Sequence, residues 1–558
     1  MKTRDGAVRA AVTGAWIVLL AACGGSSSDL SDGGPGQLRC VTPDAPDGFQ
    51  PPCNPYIADS AYPTAHLNNY AQDSTLLRGP EPGDAMTVDN HLIFGVPIGA
   101  IFSPTYPDGR VAVWLSTINA YESGAMTKVD AADGRVIDRY NSVLGDGQIP
   151  SAEYPAISRT YGFLDYRNRY YRASGENIEV IGDLEPENSQ SKIGRLAVYT
   201  LPASARCRED DYIVGVFPLW NGQVGFSTSR AMVGVFTPDR PEGMEADLTV
   251  YSINGPQRCA DPGVTEDDLE TTSNNPANDE SNAIYPITDE ALYRLKLVGG
   301  KLQLDWRSTY ETGTAGGGGV RLDAGSGSSP TLMGNADDRD RFVVFTDGSQ
   351  LMNLVLMWRD QIPAGWQPIK PGKDPRIACE VPVRFGDPLR LSSQSEQSVV
   401  VRGYGAYIPN NQLRNTIVTD TILRALALIG VPDIQTINLA VAGLLGGIPI
   451  NAPHGFERID WDPQTRSCKV RWVNKDVSIP NGVPYLSVTS GLVYGIGQRN
   501  GVFGLEGMDM ETGESVLWVP GGALTSYNSY YTALNIGPDG SAWTGGFQGF
   551  TVYRPQRP

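Results

Sequence analysis

The chain has 558 residues, of which 41% are apolar and 19% charged, so one or more packed cores are possible and wholesale disorder is excluded. Its formal net charge is −18. An acidic surface of that size repels nucleic-acid phosphates and anionic lipid head groups, so neither is an expected partner. The 64 glycines and 41 prolines suit many short strands joined by many turns.

The first 22 residues have the three parts of an export signal. Lys2, Arg4 and Arg9 outweigh Asp5, an apolar run extends from Ala10 to Leu20, and small residues follow. The run is too short to stay in a bilayer as a spanning helix. Leu20-Ala21-Ala22-Cys23 resembles the lipobox of bacterial lipoproteins. That resemblance implies that Cys23 is acylated and becomes the new N-terminus. The membrane is then a partner through the lipid, since each buried methylene contributes about 0.8 kcal/mol. Gly24, standing where inner-membrane lipoproteins carry Asp, implies by similarity to Gram-negative lipoproteins a place in the cell envelope at the outer membrane. The alternative is an ordinary signal peptide with a chance cysteine. Gly24 to Gly36 is almost wholly Gly, Ser and Asp, so residues 23–85 read as a lipid-attached flexible tether and N-terminal extension.

From residue 86 onward the chain repeats itself. Lys128–Tyr140, Tyr293–Trp306, Arg458–Trp472 and Met508–Trp518 each hold an alternating strand, a turn rich in Asp, Gly or Pro, and a strand ending in an aromatic. A second element, a strand entered through a polar turn, begins at Glu280, Ser328, Glu396, Asn481 and Asn528, with weaker candidates at Val111, Tyr161 and Tyr212. Eight starts, the closest about one four-stranded blade apart, predict an all-β fold: a seven- or eight-bladed β-propeller over 86–558. The Asp130–Gly134 and Asp509–Gly513 turns resemble the hairpins of quinoprotein-like (PQQ-like) propellers. The resemblance implies the fold and leaves the chemistry open.

Residues 416–453 break the pattern. Apolar residues recur there at helical spacing and Gly430-Val431-Pro432 divides them, which predicts a short helical hairpin inserted in a propeller loop. It either packs on the propeller face or forms a greasy mouth for an apolar ligand or a membrane.

Six cysteines follow Cys23: Cys40, Cys53, Cys207, Cys259, Cys379 and Cys468. Their even number in an exported chain predicts three disulfides, with sequential pairing preferred among 15 connectivities. No CxxC occurs, and His66, His91 and His454 are the only histidines, so no zinc site is expected. The adjacent Cys-Cys pair of quinoprotein dehydrogenases is also missing, and no PQQ or haem is expected. Gly316–Gly319 and Asn335–Asp340 read as a flexible loop and a charged turn. If the polar strand entrances line one axial mouth, Glu280, Asn282, Glu396, Asn481 and Asn528 converge there. Two carboxylates and several amide oxygens suit Ca²⁺. This is similar to the axial calcium site of propeller lactonases and phosphotriesterases. Tyr527, Tyr530 and Tyr531 would stack near the axis or belong to the core.

Two functions follow. The first is a binding or scaffold protein for a small or apolar ligand or an envelope protein. The second is a calcium-dependent ester or lactone hydrolase.

Overall fold

A computed structural model describes residues 45–557, apart from 94, 119–124, 142–160, 314–323, 416–420, 423, 426–427 and 429–434. Eight antiparallel sheets follow one another along the chain. Blades 1 to 7 occupy residues 96–141, 162–200, 213–252, 277–309, 331–382, 400–474 and 485–522. Blade 8 takes three strands from 534–555 and its outer strand from Met86–Leu92, which pairs antiparallel with Gly549–Pro555. Joining an early strand to the last one closes the ring and removes its open edges. The expected choice between seven and eight blades thus resolves to eight.

All four expected hairpins are outer pairs of blades, in blades 1, 4, 6 and 7. Their turns explain themselves locally. The Gly134 N–H bonds to the Asp130 carbonyl at 2.8 Å, and the Gly513 N–H does the same to Asp509. Each Asp side chain accepts a backbone N–H from inside its own turn. Both glycines have positive φ, and each leaves room for a ring of the neighbouring strand pair, His91 or Trp472.

Six of the eight expected strand entrances lead into innermost strands. Val111 and Glu280 do not: each precedes the second strand of its blade, Ala112–Ile118 or Ile284–Tyr285. The true inner strands there are Val96–Phe102 and the two-residue Ala277–Asn278. The first is obscured by Pro97 and Gly99, and the second is too short to show a period.

The described part of the expected N-terminal extension is not an appendage. The Ala58 N–H bonds to Leu164 O, Phe102 N–H to Tyr62 O, Asn278 N–H to Asn69 O, Leu332 N–H to Tyr70 O, Val401 N–H to Gln72 O and Leu486 N–H to Asp73 O. The Asn69 amide adds Pro218 O at 2.7 Å. Residues 58–75 therefore contact the inner strands of blades 1 to 7 and end as Ser74–Thr75, parallel to Tyr485–Ser487. Tyr62, Tyr70 and Asp73 are fully buried by this course. The segment carries enough apolar and hydrogen-bonding side chains to fill the axis, which the Gly-Ser run before it does not.

Cys207–Cys259 and Cys379–Cys468 are disulfides, as sequential pairing expects. Cys53 is also disulfide-bonded. Cys40 lies outside the described residues, as do Cys23, the export signal and Gly316–Gly319. The two described bridges fit an oxidising, extracytoplasmic compartment. Among the described residues, no helix is long and apolar enough to cross a membrane. Within 416–453 the helix Gln435–Gly446 is present, and residues 421–422, 424–425 and 428 are also helical.

Candidate functional site

Antiparallel strands alternate direction, so the loops of each blade sort onto two faces. Links between blades and the turns from second to third strand open on one face, here termed upper. Turns from first to second and third to fourth strand open on the lower face. This sorting divides the five residues expected to share a cation. Glu396, Asn481 and Asn528 precede inner strands and lie at the upper end. Glu280 and Asn282 sit in the first turn of blade 4, at the lower end.

The lower pair has its own work. The Tyr70 hydroxyl donates to Glu280 Oε2 at 2.6 Å, and the Trp220 N–H donates to Asn282 Oδ1 at 2.9 Å. Asn282 has φ 59°, a turn conformation that Asn tolerates well. The upper trio is committed too. Asn481 and Asn528 both donate to the Gly443 carbonyl, at 2.8 and 3.0 Å, and Asn481 also donates to Asn528 Oδ1. Gly443 lies in the last turn of Gln435–Gly446, where carbonyls lack helical partners, so the amides cap the helix and seat it on the mouth. A side chain at Gly443 would collide with Tyr530, which packs on Phe547 at 4.6 Å.

Glu396 is buried and accepts the Gln394 amide at 2.8 Å. Its carboxylate lies so close to Gly327 that a Cβ there could not fit. Burial, with Glu396 nearby, pushes the Tyr531 phenol well above its usual range, so it stays protonated. Among the described residues, no three His, Cys, Asp or Glu side chains meet in a way that would hold a metal. The two amides of the mouth are thus spent on Gly443, and Glu396 is pressed on Gly327.

The axis holds a constellation that the sequence does not announce. His66 Nδ1 lies 2.7 Å from Asp73 Oδ2, and its Nε2 lies 3.3 Å from Ser398 Oγ. The Tyr62 hydroxyl donates to Asp73 Oδ1 at 3.3 Å. Tyr161, Asn274 and Ser329 stand beside them: Ser329 Oγ is 3.3 Å from the Tyr161 hydroxyl, and the Ser329 N–H donates to Ser398 Oγ at 3.2 Å. Burial raises the Tyr161 phenol as well. His66 and Asp73 come from the axial segment and Ser398 from the approach to blade 6, 325 residues beyond Asp73. No local motif could have linked them, and the scarcity of histidine was the one available hint. The other two histidines have simpler places: His91 stacks on Phe550 at 4.8 Å, and His454 Nδ1 meets Ala452 O.

A cleft of about 510 Å³ opens on the upper face beside the helical insertion. Phe385, Leu391 and Leu413 supply its apolar wall, and Arg390, Arg414 and Lys475 its cations. None of these three cations is in an ion pair among the described residues. Leu391 of that wall is 80% exposed, and Leu389 in the same link and Leu428 and Ile450 of the insertion are 79% to 88% exposed. The Asn335–Asp340 turn is elsewhere and structural, its Asp340 accepting the Trp461 indole N–H.

No family model matches the chain. An uncharacterised protein of Archaeoglobus fulgidus is 38% identical over 506 residues, 90% of this chain and 89% of that one. The chain belongs to the same family. Among solved structures, it is similar to a quinohemoprotein alcohol dehydrogenase of Pseudomonas putida HK5 (TM-score 0.53, 12% identity, 89% of this chain and 80% of that one). A europium-containing methanol dehydrogenase is similar to the same degree (TM-score 0.52, 11% identity, 87% and 90%). At such identities the likeness is one of fold, the PQQ-like propeller, and the family's chemistry must be sought in its own residues.

Proposed function

We propose that this protein is an envelope binding protein, held to the membrane through lipid on Cys23, whose upper face takes a small amphiphile with an apolar body and an anionic head. The observation that carries this reading is the cleft beside the insertion. Three cations outside any ion pair among the described residues, against Asp387 as the one carboxylate of the lining, stand out on a chain of net charge −18, and they face an apolar wall of ligand size. An apolar chain would cover the exposed leucines, and an acidic head would meet Arg390 and Arg414.

The test is calorimetric titration of the lipid-free mature chain with decanoate and with decylamine. Decanoate is expected to bind and decylamine not. Arg390→Glu with Arg414→Glu should weaken decanoate by roughly 30-fold or more, as loss of two charge-assisted hydrogen bonds implies. Equal binding of the two amphiphiles, or an unaffected double variant, would contradict the reading.

A further inference from the structure

We infer that Ser398, His66 and Asp73 form an acyl-transfer relay that hydrolyses a carboxylic ester at the upper end of the propeller axis. The order of contacts is the one that activates a serine hydroxyl. Asp73 engages Nδ1 of His66 at 2.7 Å, which leaves Nε2 as the base facing Ser398 Oγ at 3.3 Å. The three side chains are all buried, so water does little to weaken the polarisation of the ring by the carboxylate.

The backbone that presents them is held in an uncommon state. His66, Leu67, Ala71 and Asp73 have φ of 60°, 76°, 55° and 49°, the left-handed region that branched and bulky residues avoid. Such strain persists only where the surroundings over-determine it, and it gathers at working sites. Here the surroundings are the hydrogen bonds that tie the same segment to seven blades. A polar core could be satisfied without this strain; a base aimed at a particular hydroxyl needs a fixed ring.

The chemistry balances with water as co-reactant. Ser398 Oγ bonds to the acyl carbon while its proton passes to His66 Nε2. The ester C–O bond breaks, and the leaving alcohol takes that proton. Water then attacks the acyl carbon and gives a proton to Nε2. The acyl–Oγ bond breaks, Ser398 recovers the proton, and a carboxylic acid is released. Ser398 and His66 are catalytic residues in this scheme, and Asp73 is a positioning residue that acts through His66. The substrate class, an ester with an apolar acyl chain, rests on the binding reading above, because its product is an amphiphile with an anionic head. The relay itself stands on its own geometry.

The test is treatment of the folded, lipid-free mature chain with an alkyl fluorophosphonate, with peptide mass mapping of the adduct, alongside turnover of p-nitrophenyl butyrate. The expected adduct is on Ser398, and Ser398→Ala abolishes both labelling and turnover. Asp73→Asn should slow labelling by a factor on the order of 10³, with decanoate affinity unchanged, a split that a purely structural role would not produce. No adduct on Ser398 in a chain that still binds decanoate overturns the relay and leaves the binding reading standing. Wild-type turnover in Ser398→Ala overturns it as well. An adduct on Ser398 in a chain that ignores decanoate sustains the relay and overturns the substrate class.

Discussion

At the rim of the propeller, each outer hairpin closes over a few residues, with Gly134 bonded to Asp130 and Gly513 to Asp509. At the axis, one short segment bonds to seven blades, from Phe102 of blade 1 to Leu486 of blade 7. The rim is thus stabilised by contacts near in sequence, and the axis by contacts hundreds of residues apart. Damage at the rim should stay local or split a seam between blades. Loss of the axial backbone hydrogen bonds should reach the whole ring and the upper mouth together, whereas an isosteric side-chain change that keeps them should not.

The largest expected effect lies at the seam between blades 1 and 2. Lys128 Nζ and Asp183 Oδ1 are 2.5 Å apart and both buried, with Tyr106 donating to Asp183 at 2.6 Å. Burial pulls the lysine pKa down and pushes the aspartate up, each opposed by its partner. Asp183→Leu leaves an uncompensated buried cation and should cost about 3–5 kcal/mol in denaturant unfolding, while Lys128→Met with Asp183→Leu recovers most of it. A double variant no more stable than the single one would break the idea that this seam is an isolated unit.

A second effect should appear as pH dependence. Burial pushes the Glu457 carboxyl from 4.5 up to about 7, although it accepts the Phe385 N–H at 2.7 Å. In the unfolded chain the group loses its proton first, so its stabilisation is complete below about pH 4.5 and is lost as pH rises through 7. Glu457→Gln should remove that slope, a difference on the order of 3 kcal/mol between pH 4.5 and 8 from melting curves of the two chains. Parallel curves would contradict it.

The smallest effect tests the helix over the mouth. Asn481→Ala with Asn528→Ala removes two hydrogen bonds to Gly443, each contributing about 1 kcal/mol. Proteolysis between residues 413 and 455 should quicken, with the melting point of the blades nearly unchanged. A blade-wide loss of stability would show instead that the mouth is coupled to the ring.

The same contrast decides what could be read in the sequence. Hairpins at the rim were legible because Asp, Gly and an aromatic recur within a dozen residues, and the described disulfides pair as sequence order suggests. Glu280 misled because the strand after it alternates well, whereas the inner strand before it, Ala277–Asn278, is too short to register. In sequence the axial segment reads as an extension because its partners are spread from residue 102 to 488 and leave no periodic mark. His66, Asp73 and Ser398 were invisible as a group for the same reason. The expected cation site failed as a constellation because a polar residue at a strand end gives no sign of which face it occupies.

The central claim is that residues 58–75 belong to the propeller axis, and amide hydrogen exchange of the mature chain tests it most directly. The N–H groups of Ala58, Ala65 and Ala71 bond to Leu164, Gly162 and Asn68, inside the ring. Peptides spanning 58–75 should exchange as slowly as those of the inner strands Val400–Arg402 and Tyr485–Ser487, and orders of magnitude more slowly than unprotected amides. Exchange of 58–75 at the rate of unprotected amides would contradict the account, and with it the placement of His66 and Asp73 beside Ser398.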